Sequence, residues 1–298
     1  MRVEIAICTW NRSRLLAGTL NSLSQLEIPG GVTCRLLIVD NNSTDDTPQT
    51  IRNFAASQAA GRFSVEPLCE KKQGHTFARN RVISAAEGEL LLWSDDDCRF
   101  NAGWITNYVN AARASQFAFW GAAIIPVFEQ AVPTWINENW EMCKGCFAAR
   151  DLGDVACDLT DRRLPYGANF AIRTDLQKEF RFNEDLGRRE RKVLGEDETD
   201  MMRRVLAAGH RGAWVPHNPV EHMIPADRMT PEYIYQYFFG QGRTLGMNDD
   251  RRRLGQIRLF IESTWNYWMY RLKRKHVPSN VWLSHMIQSA LAAGRLQA

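Results

Sequence analysis

Along the first hundred residues the apolar positions follow two alternating rhythms. Short apolar runs at 2–8 (RVEIAIC), 35–39 (RLLIV), 63–68 and 90–93 (LLLW) read as strands. Between them the spacing turns helical. Residues 14–26 set Leu16, Leu20 and Leu23 on one face, and 74–88 (GHTFARNRVISAAEG) turns Phe77, Val82 and Ala85 inward and closes at Gly88. A further helix begins after 42-NSTDDTP-48, where Ser43 and Asp46 have near-capping-box spacing and Pro48 suits a first turn. This βαβα order predicts an α/β protein with a mostly parallel sheet and helices on both faces. From 115 to 161 the pattern is irregular and rich in tryptophan and proline, with a strand expected near 122–126 and a helix near 133–141. A strand or loop-strand is expected at 164–172. A helix at 199–208 carries Met202, Val205 and Leu206 and stops at Gly209, and 230–298 reads as all helical.

Three strands end in polar clusters: Thr9 with Asn11, Asp40 with Asn41 and Asn42, and Asp95 to Asp97. In open α/β sheets ligands bind beyond the carboxyl ends of the strands, so these clusters are expected to face one crevice. No G-x-G-x-x-G and no Walker-type lysine loop follows the first strand, which excludes the ordinary dinucleotide and ATPase sites. Three adjacent aspartates after an apolar strand repel one another and lose hydration unless a cation binds there. If the strand continues through them, Asp95 and Asp97 share one side and offer oxygen donors to Mg2+ or Mn2+, while Asp96 points away. A second acidic cluster, 195-GEDETD-200, opens a helix, where the helix dipole alone would stabilise it.

Composition narrows the field further. A net charge of +3 on 298 residues, with basic residues scattered except near the C-terminus, does not suit a nucleic-acid partner. The N-terminus carries charges at positions 2, 4, 12 and 14, unlike a signal peptide, and the longest apolar run, 117–128, is too short to span a bilayer and contains a proline. A cytoplasmic protein is therefore expected. Seven cysteines form no disulfide framework; Cys143 and Cys146 make a CxxC with Cys157 following, but lack a fourth zinc ligand and are read as solitary buried thiols.

The blocks IAICTWNR, VDNNSTDDT, GHTFARNRVISAAEGELLLWSDDDC, YGANFAI, GEDETDMMRRVLAAGHR and EHMIPADRMTPEYIYQYFFGQGR occur in this order between Glu4 and about Gly246. In that order they resemble the family 2 glycosyltransferases of the GT-A fold, inverting enzymes that use nucleotide-sugars. The resemblance implies a Rossmann-like, mostly parallel sheet flanked by helices, with a helical C-terminal extension. The expected division is 1–115 for the nucleotide-sugar half, 116–229 for the acceptor-binding and catalytic half and 230–298 for the extension.

Carried over residue by residue, the resemblance implies that Thr9, Asp40, Arg79 and Asp95 contact the nucleotide and that Asp97 binds Mn2+ or Mg2+. It places His222 in the metal shell, Asp197 as the general base, and Asn169 and Glu196 on the acceptor side. Counting back from RRVLAAG puts Glu198 in the place of Asp197, so Glu198 stands as the alternative base. Trp135 and Trp140 suit either the acceptor site or core packing, and His217 reads as structural. The implied partners are a nucleotide-sugar donor and a sugar or lipid-linked glycan acceptor, in bacterial polysaccharide or glycoconjugate synthesis. Two other readings stand beside this one: a catalytically inactive scaffold of the same fold, and a sugar-phosphate nucleotidyltransferase, whose glycine-rich loop is missing here. Ile257, Ile261, Thr264, Trp268 and Leu272 share a helical face near a basic end, so packing on the protein and peripheral contact with the inner face of the membrane through 257–275 both remain open.

Overall fold

Strands form where the apolar runs lie, and each is slightly shifted or extended relative to its expected span. The computed structural model describes the chain apart from residues 59, 60, 62, 190, 191, 194, 195 and 247–252, and only the backbone at 188, 189, 192, 193, 253 and 254. The elements up to the fourth long strand are β1 (Arg2–Thr9), α1 (Ser13–Leu23), β2 (Thr33–Asp40), α2 (Thr47–Ser57), β3 (Ser64–Cys69), α3 (His75–Ala85) and β4 (Leu90–Asp95). Then come β5 (Cys98–Phe100), α4 (Trp104–Ala114), β6 (Phe119–Gly121), β7 (Ile124–Phe128), α5 (Thr134–Glu138), α6 (Trp140–Cys143), β8 (Phe170–Arg173) and α7 (Thr174–Glu179). The remainder is β9 (Arg188–Arg189), β10 (Lys192–Val193), α8 (Asp197–Ala207), β11 (Gly212–Trp214), β12 (Val220–Ile224), α9 (Pro231–Gly246), α10 (Arg253–Lys273) and α11 (Ser279–Leu296).

Seven strands make one sheet in the order β11-β6-β8-β4-β1-β2-β3. The run β4-β1-β2-β3 is parallel, while β8 runs antiparallel to both β4 and β6. Because side chains alternate across a strand, Ile5, Ile7, Leu36, Ile38, Leu90 and Leu92 enter one core with Leu16, Leu20 and Leu23 of α1 and Trp104 and Tyr108 of α4. Their neighbours Ala6, Leu37, Val39, Leu91 and Trp93 enter the other, with Ala78, Val82 and Ile83 of α3 and Met201, Met202 and Val205 of α8. Burial on both faces is why these strands read as continuous apolar runs rather than alternating ones. A smaller sheet has the order β5-β12-β7.

Two local expectations are corrected. The third helix ends at Ala85, with Ala86 already extended, and Gly88 acts differently from a cap. A Cβ there would lie 2.9 Å from the Arg2 carbonyl oxygen, so glycine lets the chain pass closely beside β1. Ser43 and Asp46 form no capping box: the Ser43 N–H donates to Asp40 and the Thr47 N–H to Asp45.

Packing divides the chain into two compact units. One comprises Met1–Val127, Ala148–Asp185 and Asp197–Met223, because β8 inserts between β4 and β6 and ties the expected first and second segments into one sheet. The other comprises Phe128–Phe147, Leu186–Glu196 and Ile224–Ala298. Its core joins Ile136, Phe147, Ile234, Tyr270, Trp282 and Met286. Trp135 lies against Trp282, and Trp140 stacks on Phe147, which accounts for both tryptophans as packing residues. α9 and α11 approach closely through Gly242 and Gly294, where a Cβ would collide with the opposite backbone. The expected helical region 230–298 is borne by α9, α10 and α11, with 247–252 outside the described residues. Cys143 and Cys146 are buried, and burial pushes the Cys143 thiol up to about 11.

Glu4 is fully buried in β1 and is paired with Arg35 of β2, which also donates to Glu66 and to the Ala85 carbonyl. Removing one member of such a pair strands the other charge in the interior. Arg35→Met is therefore expected to lower unfolding stability by about 3 kcal/mol in urea titration.

Candidate active site

The crevice beyond β1, β2 and β4 is assembled by the sheet register, which sets Thr9 beside Asp40 and Cys8 beside Asp95. β4 stops at Asp95, and Asp96 and Asp97 form the tight turn into β5. The expectation that Asp95 and Asp97 share one side while Asp96 points away is therefore corrected, because strand alternation ends before it reaches them. Arg12 binds both later aspartates, donating from Nη1 to Asp96 Oδ1 at 2.6 Å and to Asp97 Oδ2 at 2.9 Å. The Thr9 hydroxyl donates to Asp96 Oδ2 at 2.7 Å, and the Thr19 hydroxyl donates to the Asp96 carbonyl at 2.8 Å. Thr9, expected at the nucleoside, is buried and engaged in holding this turn. Burial raises the Asp96 carboxyl above its ordinary range against the pull of Arg12. For Arg12 burial opposes the charge, but Asp96 and Asp97 outweigh it and hold the guanidinium protonated.

Antiparallel pairing of β12 with β5 sets His222 opposite Cys98, one residue after Asp97, and the Met223 N–H donates to the Asp97 carbonyl. The result is His222 Nε2 at 3.2 Å from Asp97 Oδ1, both side chains almost wholly buried. Two donors on adjacent vertices of an octahedron with ligand distances near 2.1 Å lie about 3 Å apart, so this oxygen and nitrogen pair fits one divalent cation. Among the described residues no three Cys, His, Asp or Glu side chains gather as a ready-made metal cage. Such a sparse donor set suits an ion that takes its remaining ligands from phosphate and water. His217, by contrast, is exposed, with a left-handed backbone and Asp154 at 3.7 Å.

At the start of α8 a second carboxylate pair surrounds Arg79 of α3. Arg79 Nη1 donates to Asp197 Oδ2 at 2.8 Å and lies 3.4 Å from Glu198 Oε2, and its guanidinium packs over Phe182 at 4.9 Å. His75 Nδ1 is 3.5 Å from the same Asp197 oxygen. Burial would raise Asp197, but Arg79 overrides it and holds this carboxyl well below the usual carboxylate range. Glu198 goes the other way: burial, then the Asp197 charge, raises it. The Glu198 Oε1 also accepts the Gly167 N–H at 3.2 Å, and a Cβ at Gly167 would strike Arg79 Nη2 at 2.4 Å. Burial opposes the Arg79 charge, but Asp197, then Glu198 and Asp95, outweigh it and hold the guanidinium protonated. Arg79, expected in the nucleotide pocket, is thus engaged with the α8 carboxylates.

Asp40, half-buried at the end of β2, accepts the Ser43 N–H at 3.1 Å. Asn169 is corrected: it is fully buried rather than on an acceptor face. Its oxygen accepts from Trp104 Nε1 and the Tyr108 hydroxyl, and its amide donates to the carbonyls of Ala123 and Asn218, which satisfies the whole side chain. Glu196 is exposed, with a left-handed φ of 67°, and Gly195 of the same motif lies outside the described residues. Arg12 and His75 were given no role by sequence reasoning. Arg12 is one of two arginines, with Arg14, that follow β1 closely, and nothing local distinguishes the one that reaches the aspartates; His75 carries no signal either.

A mixed sheet of this order, with acidic turns at its carboxyl edge, defines the GT-A class of glycosyltransferase folds, and solved structures of that class superpose on it. Staphylococcus aureus TarS 1–349 in complex with UDP-GlcNAc matches with a TM-score of 0.56 at 18% identity, over 92% of this chain and 73% of that one. The mannosyltransferase PcManGT from Pyrobaculum calidifontis, in complex with GDP-Man and Mn2+, matches with a TM-score of 0.62 at 15% identity, over 99% and 87%. The model of glycosyl transferase family 2 matches residues 4–174, and the chain belongs to that family. The succinoglycan biosynthesis protein ExoM of Rhizobium meliloti (strain 1021) is 23% identical over 273 residues, 89% of this chain and 79% of ExoM.

Proposed function

We propose that this glycosyltransferase is metal-dependent and moves a sugar, with inversion, from a nucleotide-sugar to an acceptor hydroxyl in bacterial polysaccharide synthesis. The observation that carries the metal dependence is the buried Asp97–His222 donor pair beside the Arg12-braced turn. The UDP-GlcNAc complex of TarS and the GDP-Man and Mn2+ complex of PcManGT support a nucleotide-sugar and a divalent cation, and the ExoM likeness supports polysaccharide as the destination. Mn2+ or Mg2+ held by Asp97 and His222 would offset the negative charge that develops on a departing nucleoside diphosphate.

The chain's own residues supply the rest. Arg12 and Thr9 fix the Asp96–Asp97 turn, so that the ligand carboxylate is positioned before substrate arrives. Asp40 and Asp95, at the tips of the two strands that flank β1, are assigned to the nucleoside and ribose. Asp197 is assigned the acceptor proton. Arg79 keeps it ionised at rest, as a base must be, and both Glu198 oxygens are already engaged by Gly167 and Arg79.

A thermal-shift series with UDP, GDP, ADP, CDP and dTDP, each with and without Mn2+, tests the donor assignment. At a hundredfold excess over Kd a ligand that binds only the folded state adds about 2.7 kcal/mol. At least one nucleotide is expected to raise Tm by several degrees, and only with Mn2+. No shift with any of the five would remove the nucleotide-sugar reading.

A further inference from the structure

α10 presents its greasy side outward. Ile257, Phe260, Ile261, Trp265, Tyr267, Trp268 and Leu272 are all exposed, five of them by 59% or more. At about 100° per residue they span an arc of roughly 160°. The opposite side, which packs on α11, mixes apolar and polar groups: Leu259 and Tyr270 are buried there, Tyr270 against Trp282, while Asn266 and His285 share a hydrogen bond at 2.8 Å and Ser263 and Ser289 exchange hydrogen bonds with each other's carbonyl groups. A helix that already buries one face in its own protein and still holds seven large apolar side chains in solvent presents a surface for an external apolar partner.

Charge selects that partner. Between 251 and 275 the sequence holds eight basic residues and one acidic one, Glu262, with Asp249 and Asp250 just before. Within α10 the basic residues are Arg253 and Arg258 towards the start and Arg271 and Lys273 at the end, with Arg274 and Lys275 just past it. A second copy laid along this helix, parallel or antiparallel, would set one basic end against another. An anionic surface pairs with both ends at once, and exposed indole and phenol rings suit the boundary between headgroups and acyl chains. Among the described residues no helix is long and apolar enough to cross a membrane, so contact through α10 would lie in the plane of the bilayer surface.

We propose that the outward face of α10 docks on an anionic lipid bilayer, an inference independent of the catalytic assignment. The full chain is expected to cosediment with vesicles containing phosphatidylglycerol, not with phosphatidylcholine alone, and its tryptophan emission to be quenched by bromine-labelled acyl chains. Trp265→Ser with Trp268→Ser is expected to weaken binding about tenfold or more at unchanged Tm. Arg271→Glu with Lys275→Glu is expected to weaken it while leaving the apolar face intact. The proposal is overturned if anionic vesicles fail to bind the chain, if the double tryptophan variant still binds, or if light scattering shows a dimer that this variant dissolves.

Discussion

Asp97→Asn is expected to lower manganese-stimulated sugar transfer by about three orders of magnitude, the scale on which a positioned electrostatic group acts in a transition state. Asparagine is chosen over alanine because Asp97 is buried and binds Arg12, so an isosteric amide keeps the side-chain volume and leaves Arg12 its bond to Asp96. Unfolding stability is expected to change by about 1–2 kcal/mol at most. Transfer rates and urea titrations on the same preparation separate the two effects. Unchanged turnover would falsify the metal assignment; unfolding in parallel with lost turnover would reduce Asp97 to a structural partner of Arg12.

Asp197→Asn is expected to abolish transfer by about 10²–10⁴ while nucleotide affinity stays within a few-fold, because a base that takes the acceptor proton contributes to the chemical step rather than to donor binding. Glu198→Gln serves as the internal control. Its two oxygens hold the Gly167 N–H and Arg79, so its loss is expected to cost less than tenfold. A reversed order, with Glu198→Gln inactive and Asp197→Asn active, would move the base by one residue. The opposed electrostatics make the comparison informative: Arg79 holds Asp197 ionised, whereas burial and the neighbouring charge raise Glu198.

Much of the scaffold was legible because apolar periodicity and doubly buried strands write directly into sequence. The runs at 5–7, 36–39 and 90–93 became central strands with both faces covered. Short elements were not: β6 holds three residues, and its place beside an antiparallel β8 depends on long-range pairing that no local pattern encodes. Within the site, Asp97 and His222 were named from the family resemblance, and strand pairing brings them to 3.2 Å. The 95–97 turn was misjudged because alternation was extended past the end of a strand. Asn169 was misjudged because a buried, fully satisfied amide and an acceptor-binding one look alike in sequence; four partners from Trp104 to Asn218 distinguish them. Arg12 was overlooked because its partners lie more than eighty residues away.

Pulsed electron paramagnetic resonance of Mn2+ added together with the nucleoside diphosphate that gives the largest thermal shift tests the central claim most directly. One manganese ion coupled both to phosphorus and to a directly bound nitrogen is expected, with the nitrogen coupling abolished by His222→Ala. Manganese coupled to phosphorus alone, unaltered by replacement of either His222 or Asp97, would contradict it.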